Sequence, residues 1–299
     1  MQAVVMRQTG GPEVLNLEDV DAPEPVEDEV LIRVHSVSVN PIDWKFRRGL
    51  YPKELPVVLG NDISGTVVSS RAAGYGEGDE VFGFTSSGGY AELATASAGV
   101  IAHKPVGITH EQAAAIPVGG LTAWQALFDH GGLEAGQSVL IAAAAGGVGH
   151  FAVQLAKRAG AHTIGIGSAR NRDFVMGLGA DEYIDYTQQS VNDAASDVDV
   201  AFDAVGGQST EELLGAVRPG GVLVTIANAA PEQQALARGV RAVLFSMTPK
   251  PEQLEQIAGL VADGELHVEL AEALPLAEVR RAHELSESGH TRGKIVLTL

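Results

Sequence analysis

The hydrophobic rhythm of the chain changes along its length. From Met1 to about Lys104, apolar and polar residues alternate in short runs: AVVMR, EVLIRVHSVSV, DISGTVV, EVFGF, YAELAT and VIAHK. Gly, Pro and acidic turns such as GYGEGDE separate them, which predicts a β-rich first part. Near Thr109 the pattern turns helical, with HEQAAAI and LTAWQALFDH. Strand and helix patterns then alternate: SVLI, HFAVQLAKRA, HTIGIG, NRDFVMGLGA, EYIDY, DVDVAFDAVG, TEELLGAV and GGVLVTIAN. Such alternation over short loops predicts βαβ crossovers and a parallel sheet covered on both faces. RAVLFSM predicts a further strand at the sheet edge, and Leu254, Ile257, Ala258 and Val261 give PEQLEQIAGLVADG a helix's apolar face. The tail adds the helix LAEVRRAHELSESG and the strand KIVLTL. There is no internal repeat.

The centre of this pattern is Ser138 to Ala159. Val139, Leu140 and Ile141 suit a strand buried on both faces. Gly146, Gly147 and Gly149 follow, and Val148, Ala152, Leu155, Ala156 and Ala159 then fall at helical spacing. Glycines admit close backbone approach and the free N–H groups of a helix start favour a phosphate, so the segment offers a pyrophosphate cradle. A bare glycine turn also occurs as a packing device, and here the first position of the usual pattern is Ala143.

Composition narrows the choices. The 299 residues allow two domains of ordinary size. The absence of cysteine excludes disulfides, thiolate zinc sites and a cysteine nucleophile. A net charge of −18 argues against a nucleic-acid partner, and no stretch reaches the ~20 apolar residues of a membrane helix. A cytoplasmic protein is expected. In that acidic field an anionic ligand needs a local basic site. About 20 residues beyond the glycine turn, where an acid would hold the 2′-hydroxyl of NAD, the chain reads Gly165, Ile166, Gly167, Ser168, Ala169, Arg170. Serine and arginine there suit a 2′-phosphate, so NADPH is expected rather than NADH. A methyltransferase would want an acid at that strand end and no flanking β part.

Several phrases together resemble the quinone oxidoreductase branch of the zinc-independent medium-chain dehydrogenases/reductases. They are NPIDWKFRRG, GNDISGTV, GDEVFGF, GGYAEL, AAAIPVGGLTAWQAL, the glycine loop, GADEYIDY and GHTRGKIVL, in order along nearly the whole chain. The resemblance implies an α/β protein in which a GroES-like β-rich catalytic domain, 1–112 with 264–299, is interrupted by a Rossmann doubly wound parallel-sheet domain, 113–263. It implies an active cleft between them and hydride transfer from NADPH to a quinone or to the β-carbon of an α,β-unsaturated carbonyl. Carried over by position, Gly146, Gly147 and Val148 lie along the pyrophosphate, and Ser168, Arg170 and Tyr186 at the 2′-phosphate. Asn40 and Thr122 fall near the nicotinamide, Ala204 and Val205 under the cofactor, and Asn228 after the fifth strand.

Other chemistry is poorly served. The nine histidines form neither H-x-H nor H-E-x-x-H and are read as surface or packing residues, and Gly60, Asn61, Asp62 stands where zinc enzymes read G-H-E, so no metal is expected. No Ser/His/Asp hydrolase arrangement is suggested by spacing. Asn40 and Tyr51 are the candidates to hydrogen-bond a substrate carbonyl. Asp43 and Asp62 read as turn residues, Lys45 as solvated, and Trp44 and Trp124 as core. A pathway-specific biosynthetic reductase of the same fold, or a non-catalytic NADPH-binding sensor, are the alternatives. A homodimer is expected through the RAVLFSM edge.

Overall fold

A computed structural model of the chain describes residues 1–227 and 231–299. It forms two compact units, Met1–Val118 with Pro249–Leu299, and Gly119–Thr248. The first opens with β1 (Gln2–Met6), β2 (Leu15–Asp19) and the long β3 (Glu29–Val39), then helix α1 (Pro41–Arg47). It continues through β4 (Val57–Val58), β5 (Asp62–Ser70), β6 (Glu80–Phe84), β7 (Leu93–Ser97), β8 (Ile101–His103) and α2 (His110–Ala115). The division falls inside α3 (Pro117–Trp124). The second unit holds β9 (Ser138–Ile141), α4 (Gly149–Arg158), β10 (His162–Gly167), α5 (Arg172–Gly177), β11 (Glu182–Asp185) and α6 (Val191–Ala194). Beyond these lie β12 (Val198–Asp203), α7 (Gln208–Ala216), β13 (Val217–Thr225), α8 (Glu232–Ala237) and β14 (Arg241–Leu244). The chain then returns to the first unit with α9 (Pro251–Ala262), β15 (Leu270–Pro275), α10 (Val279–Glu287) and β16 (Lys294–Thr298).

In the first unit β2, β1 and β4 make one small sheet, and a larger one runs β15-β16-β3-β5-β6-β8 with β7 also on β3. Alternation along β3 buries Val30, Ile32 and Val34 in a core shared with Ile63, Val67, Val81, Ile101, Ile295 and Leu297. β16 lies antiparallel to β3 with Ile295 opposite Val39, so Lys294 comes level with Asn40. That register joins the two ends of the chain at one point.

The second unit is a parallel sheet in the order β11-β10-β9-β12-β13-β14. Numbered within the unit that order is 3-2-1-4-5-6, the doubly wound arrangement, whose direction reverses between β9 and β12. Val139, Leu140 and Ile141 on β9 are fully buried, as a strand with neighbours on both sides and helices on both faces must be.

The sequence reading and the observed division differ at the edges of the inserted part. Residues 113–118 of α2 and α3, and all of α9, cluster with the first unit. α2 packs on β3 and β5, and α9 on β8. The apolar stripe Leu254, Ile257, Ala258 and Val261 is therefore buried in the β-rich unit, which a helical pattern alone cannot reveal.

Candidate functional site

The glycine loop lies at the reversal point of the parallel sheet, where ligands of open α/β sheets bind. Ala142 N–H donates to the Phe202 carbonyl at 2.9 Å, and Ala144 N–H to Ile166 at 3.0 Å. These bonds fix the loop between three strands. Ala143 sits between them at φ 50, the left-handed conformation of a glycine, held by alanine at a cost of about 1 kcal/mol. The departure from the glycine pattern thus changes a residue and not the backbone path. Gly149 is required by contact: a Cβ there would stand 2.1 Å from the Ala143 carbonyl oxygen. Helix α4 starts on Val148, which offers no side-chain cap. Valine is among the poorest capping residues. Gly146 N–H donates to the Ala143 carbonyl at 2.8 Å and His150 N–H to the Gly146 carbonyl at 3.1 Å, which leaves the Gly147 and Val148 N–H groups for a ligand or solvent.

At the ends of β10 and β11 the parallel register sets Gly167 beside Asp185, which brings Ser168 and Tyr186 to neighbouring strand ends. Tyr186 N–H donates to the Gly167 carbonyl at 3.3 Å and its ring is 56% exposed. Arg170 is exposed on the turn after Ser168. Tyr183, which the sequence reading passes over, and Arg172, which it sets beside Arg170 as a solvated helix start, also lie at this corner. Tyr183 donates its hydroxyl to the Ser168 carbonyl at 2.7 Å, and the Arg172 guanidinium lies 5.8 Å from the centre of the Tyr183 ring. Their signal is present in NRDFVMG and EYIDY, but the side-chain direction is not.

The segment under the expected cofactor path, Ala204 and Val205, is shaped by Asp203, which is fully buried at the end of β12. Its carboxylate accepts from Val205 N–H at 2.9 Å, Gly206 N–H at 3.0 Å, Ser209 Oγ at 3.4 Å, Thr210 Oγ1 at 2.5 Å and Thr225 Oγ1 at 3.2 Å. Asp203 therefore folds the loop back on the sheet and holds Val205 out, 56% exposed. Thr122 is buried on α3. Asn228 lies outside the described residues.

In the β-rich unit Asn40 is 2% exposed, on the turn between β3 and α1. Its backbone N–H donates to Asp43 Oδ2 at 2.8 Å, which caps α1. Its side chain is gripped at both ends. Nδ2 donates to Asp62 Oδ2 at 3.0 Å, and Lys294 Nζ donates to Oδ1 at 2.6 Å. Tyr90 gives its hydroxyl to Asp43 Oδ2 at 3.2 Å, and His283 Nε2 stands 3.2 Å from that hydroxyl. With the Tyr90 proton committed to Asp43, His283 is the donor and carries its proton on Nε2. Arg47, fully buried, pairs with Glu287, which also binds Arg48.

Burial sets the protonation here. It pushes the Asp43 carboxyl up to about 6, against the pull of the Asn40 N–H, and raises Asp62 against the opposing Lys294 charge. It lowers Lys294 and drives His283 down to about 3, with the Arg47 charge adding to that effect. Asp62 is thus no turn residue. It opens β5, fully buried, and also accepts Val118 N–H at 3.1 Å. Asp43 does cap the turn, as the sequence suggests, and is buried besides. Lys45 is half-buried with its ammonium 5.8 Å from the Trp44 ring centre, so it is not simply solvated. Tyr51 is 47% exposed after α1, with its ring edge-on to Phe46.

Ser64 Oγ, His110 and Glu80 do form a row, 2.7 Å from Oγ to Nδ1 and 3.4 Å from Nε2 to the carboxylate. Ser64 is fully buried and also donates to the Val81 carbonyl, which leaves no accessible nucleophile there. Among the described residues no three His, Asp or Glu side chains gather as metal donors.

Comparison with known proteins places this geometry. The alcohol dehydrogenase GroES-like domain matches residues 26–152 and the zinc-binding dehydrogenase domain residues 178–297. The metal in the second description finds no donor set in this chain among the described residues. The quinone oxidoreductase of Pseudomonas aeruginosa is 35% identical, covering 96% of this chain and 96% of that one. The solved quinone oxidoreductase of Coxiella burnetii superposes with a TM-score of 0.95 at 35% identity, over 100% of this chain and 99% of that one. The Escherichia coli quinone oxidoreductase, solved in complex with NADPH, gives 0.93 at 29% identity over the whole of both chains. With a β-rich unit interrupted by a 3-2-1-4-5-6 parallel sheet and relatives matched from end to end, the chain belongs to the quinone oxidoreductase branch of the medium-chain dehydrogenases/reductases.

Proposed function

We propose that this protein is a metal-independent, NADPH-dependent reductase of quinones and α,β-unsaturated carbonyls. The observation that supports the reading is the corner of the parallel sheet, where a helix start with no side-chain cap follows the glycine loop and Ser168 and Tyr186 end neighbouring strands with Arg170 on the turn beyond, the residues that the resemblance assigns to the pyrophosphate and 2′-phosphate. When bound, NADPH supplies the hydride. Gly146, Gly147 and Val148 lie along the pyrophosphate, with the Gly147 and Val148 N–H groups donating to it, and Arg170, with Ser168 and Tyr186, neutralises and hydrogen-bonds the 2′-phosphate. Ala204, Val205, Thr122, Asn40 and Asn228 are assigned to the remainder of the cofactor. Asn40 and Tyr51 are assigned to the substrate oxygen, donating to the charge that develops there, so that positioning does most of the work.

The test is the NADPH-over-NADH preference, by fluorescence titration of the wild type and Arg170→Ala. The variant is expected to lose about 1–3 kcal/mol of that preference, the worth of a charge-assisted hydrogen bond to phosphate. Equal affinity for NADH in the wild type, or no change in the variant, overturns the 2′-phosphate assignment. Tight NADPH binding with no oxidation by any quinone or enone would assign a sensing role instead. The cytoplasm is the proposed place of action. Among the described residues no helix is long and apolar enough to cross a membrane.

The dimer is part of the same proposal. β14 is the edge of the parallel sheet, bonded among the described residues to β13 alone, and Leu244 on it is 51% exposed. Two copies pairing edge to edge would cover that row of unpaired backbone groups. Sedimentation is expected to give a dimer for the wild type and a shift toward monomer for Leu244→Asp. A monomeric wild type at the same concentration sinks the proposal.

A further inference from the structure

We infer that Lys294 and Asp62 are positioning residues that lock the Asn40 amide in one orientation, so that Asn40 meets its substrate only as a hydrogen-bond donor. The inference rests on the reading that Asn40 touches the substrate oxygen. It starts from three residue types with different hydrogen-bonding capacity. An ammonium has donors and no acceptor, an ionised carboxylate has acceptors and no donor, and an amide has two N–H donors at one end and an acceptor oxygen at the other. Lys294 Nζ stands 2.6 Å from Asn40 Oδ1, and Asp62 Oδ2 stands 3.0 Å from Nδ2. Flipping the amide would put its NH2 against the ammonium and its oxygen against the carboxylate. Both bonds would become repulsions in a site where Asn40, Lys294 and Asp62 are 2%, 5% and 0% exposed.

The lock acts on both ends of the amide. The Nδ2 hydrogen that Asp62 does not take keeps a fixed direction, and the amide oxygen is turned toward Lys294. A ligand oxygen arriving at Asn40 therefore finds a donor, which suits the carbonyl of a quinone or enone and rejects a group that must itself donate. The ammonium on Oδ1 also polarises the amide and strengthens its N–H as charge grows on the substrate oxygen. Lys294 acts through Asn40 and does not itself touch the substrate. Without it, the buried Asp62 takes up a proton, can then donate as well as accept, and no longer specifies the amide's direction.

The test is a double-mutant cycle on kcat for 1,4-naphthoquinone with saturating NADPH, at a temperature where circular dichroism shows every variant folded. Asn40→Ala is expected to lower kcat about 100-fold, as loss of one donor to a developing oxyanion does. Lys294→Met is expected to lower it about tenfold, and Asn40→Ala/Lys294→Met to match Asn40→Ala alone. Losses that multiply in the double variant overturn the inference and leave the substrate reading standing. Wild-type kcat in Asn40→Ala overturns the substrate reading itself. The second readout is urea unfolding of Lys294→Met/Asp62→Asn, which removes both charges. Its midpoint is expected to exceed that of Lys294→Met while kcat stays low. Recovery of kcat together with the midpoint would make the pair purely structural.

Discussion

Between pH 6.5 and pH 4 the protein is expected to lose about 3 kcal/mol of stability through His283 alone. The ring is buried in α10, edge-on to Tyr90, and its proton affinity is held down to about 3 by burial and by the Arg47 charge. The unfolded chain takes up a proton on this histidine below about pH 6.5, whereas the folded chain stays neutral there until about pH 3. In that window the unfolded state binds more protons, so stability falls as the pH falls, by about 1.4 kcal/mol per pH unit. Asp43 works in the opposite sense. Its folded value of about 6 lies above its unfolded one of 3.8, so its contribution favours the fold as pH falls across that interval. The His283 share must therefore be read as a difference. His283→Gln retains a donor for Tyr90 and cannot be protonated. Urea unfolding at pH 7 and pH 4 is expected to show the variant gaining about 3 kcal/mol on the wild type between the two. A gap that does not change with pH would mean that the ring titrates as it does in water.

Asp203→Ala is expected to cost about 4 kcal/mol. The substitution leaves two backbone N–H groups, of Val205 and Gly206, and the hydroxyls of Thr210 and Thr225 without their acceptor at the end of β12. Hydroxyls can rotate toward other acceptors but backbone N–H groups cannot, so most of the loss comes from the two amides, at about 1–3 kcal/mol for each buried donor left unmet. The change is read in the urea midpoint. Hydrogen exchange should localise it, with the Val205 and Gly206 amides losing protection before the centre of β12 does. A loss below about 1 kcal/mol would show that water replaces the carboxylate without strain.

The difference between these regions explains what can be read from the chain itself. The strand, glycine turn and helix at 138–159 are legible because hydrophobic period, turn residues and helix start lie in one contiguous stretch. That Ser168 and Tyr186 follow neighbouring strand ends is legible because parallel register carries consecutive strand ends to one edge. The network around Asn40 is not. Its members stand at 40, 43, 62, 90, 283 and 294: the β3–β16 and β3–β5 registers bring Asn40, Asp62 and Lys294 together, and α10, packed on α1 and β16, adds His283. Asp62 reads as a turn residue because it follows glycine and asparagine, yet it begins a buried strand. A lysine opening the apolar run KIVL is the one local hint, since a charge that starts a buried strand needs a partner. The place of α9 is illegible for a related reason: an apolar face records that a helix is covered and not by what.

The pairing of β16 with β3 also bears on how the protein is made. The second unit, Gly119–Thr248, is one uninterrupted segment and can fold while later residues are still being added at the ribosome. The β-rich unit must wait. Asp43 and Asp62 are translated early, but the cation bonded to their Asn40 neighbour is Lys294, more than two hundred residues later. Until that strand emerges, burying the two carboxylates is opposed by their desolvation, and the early strands are better kept wet. Ribosomes that stop short of residue 294 therefore release a finished parallel-sheet unit joined to an unfinished partner, a form that cellular quality control can recognise by its open β3 edge.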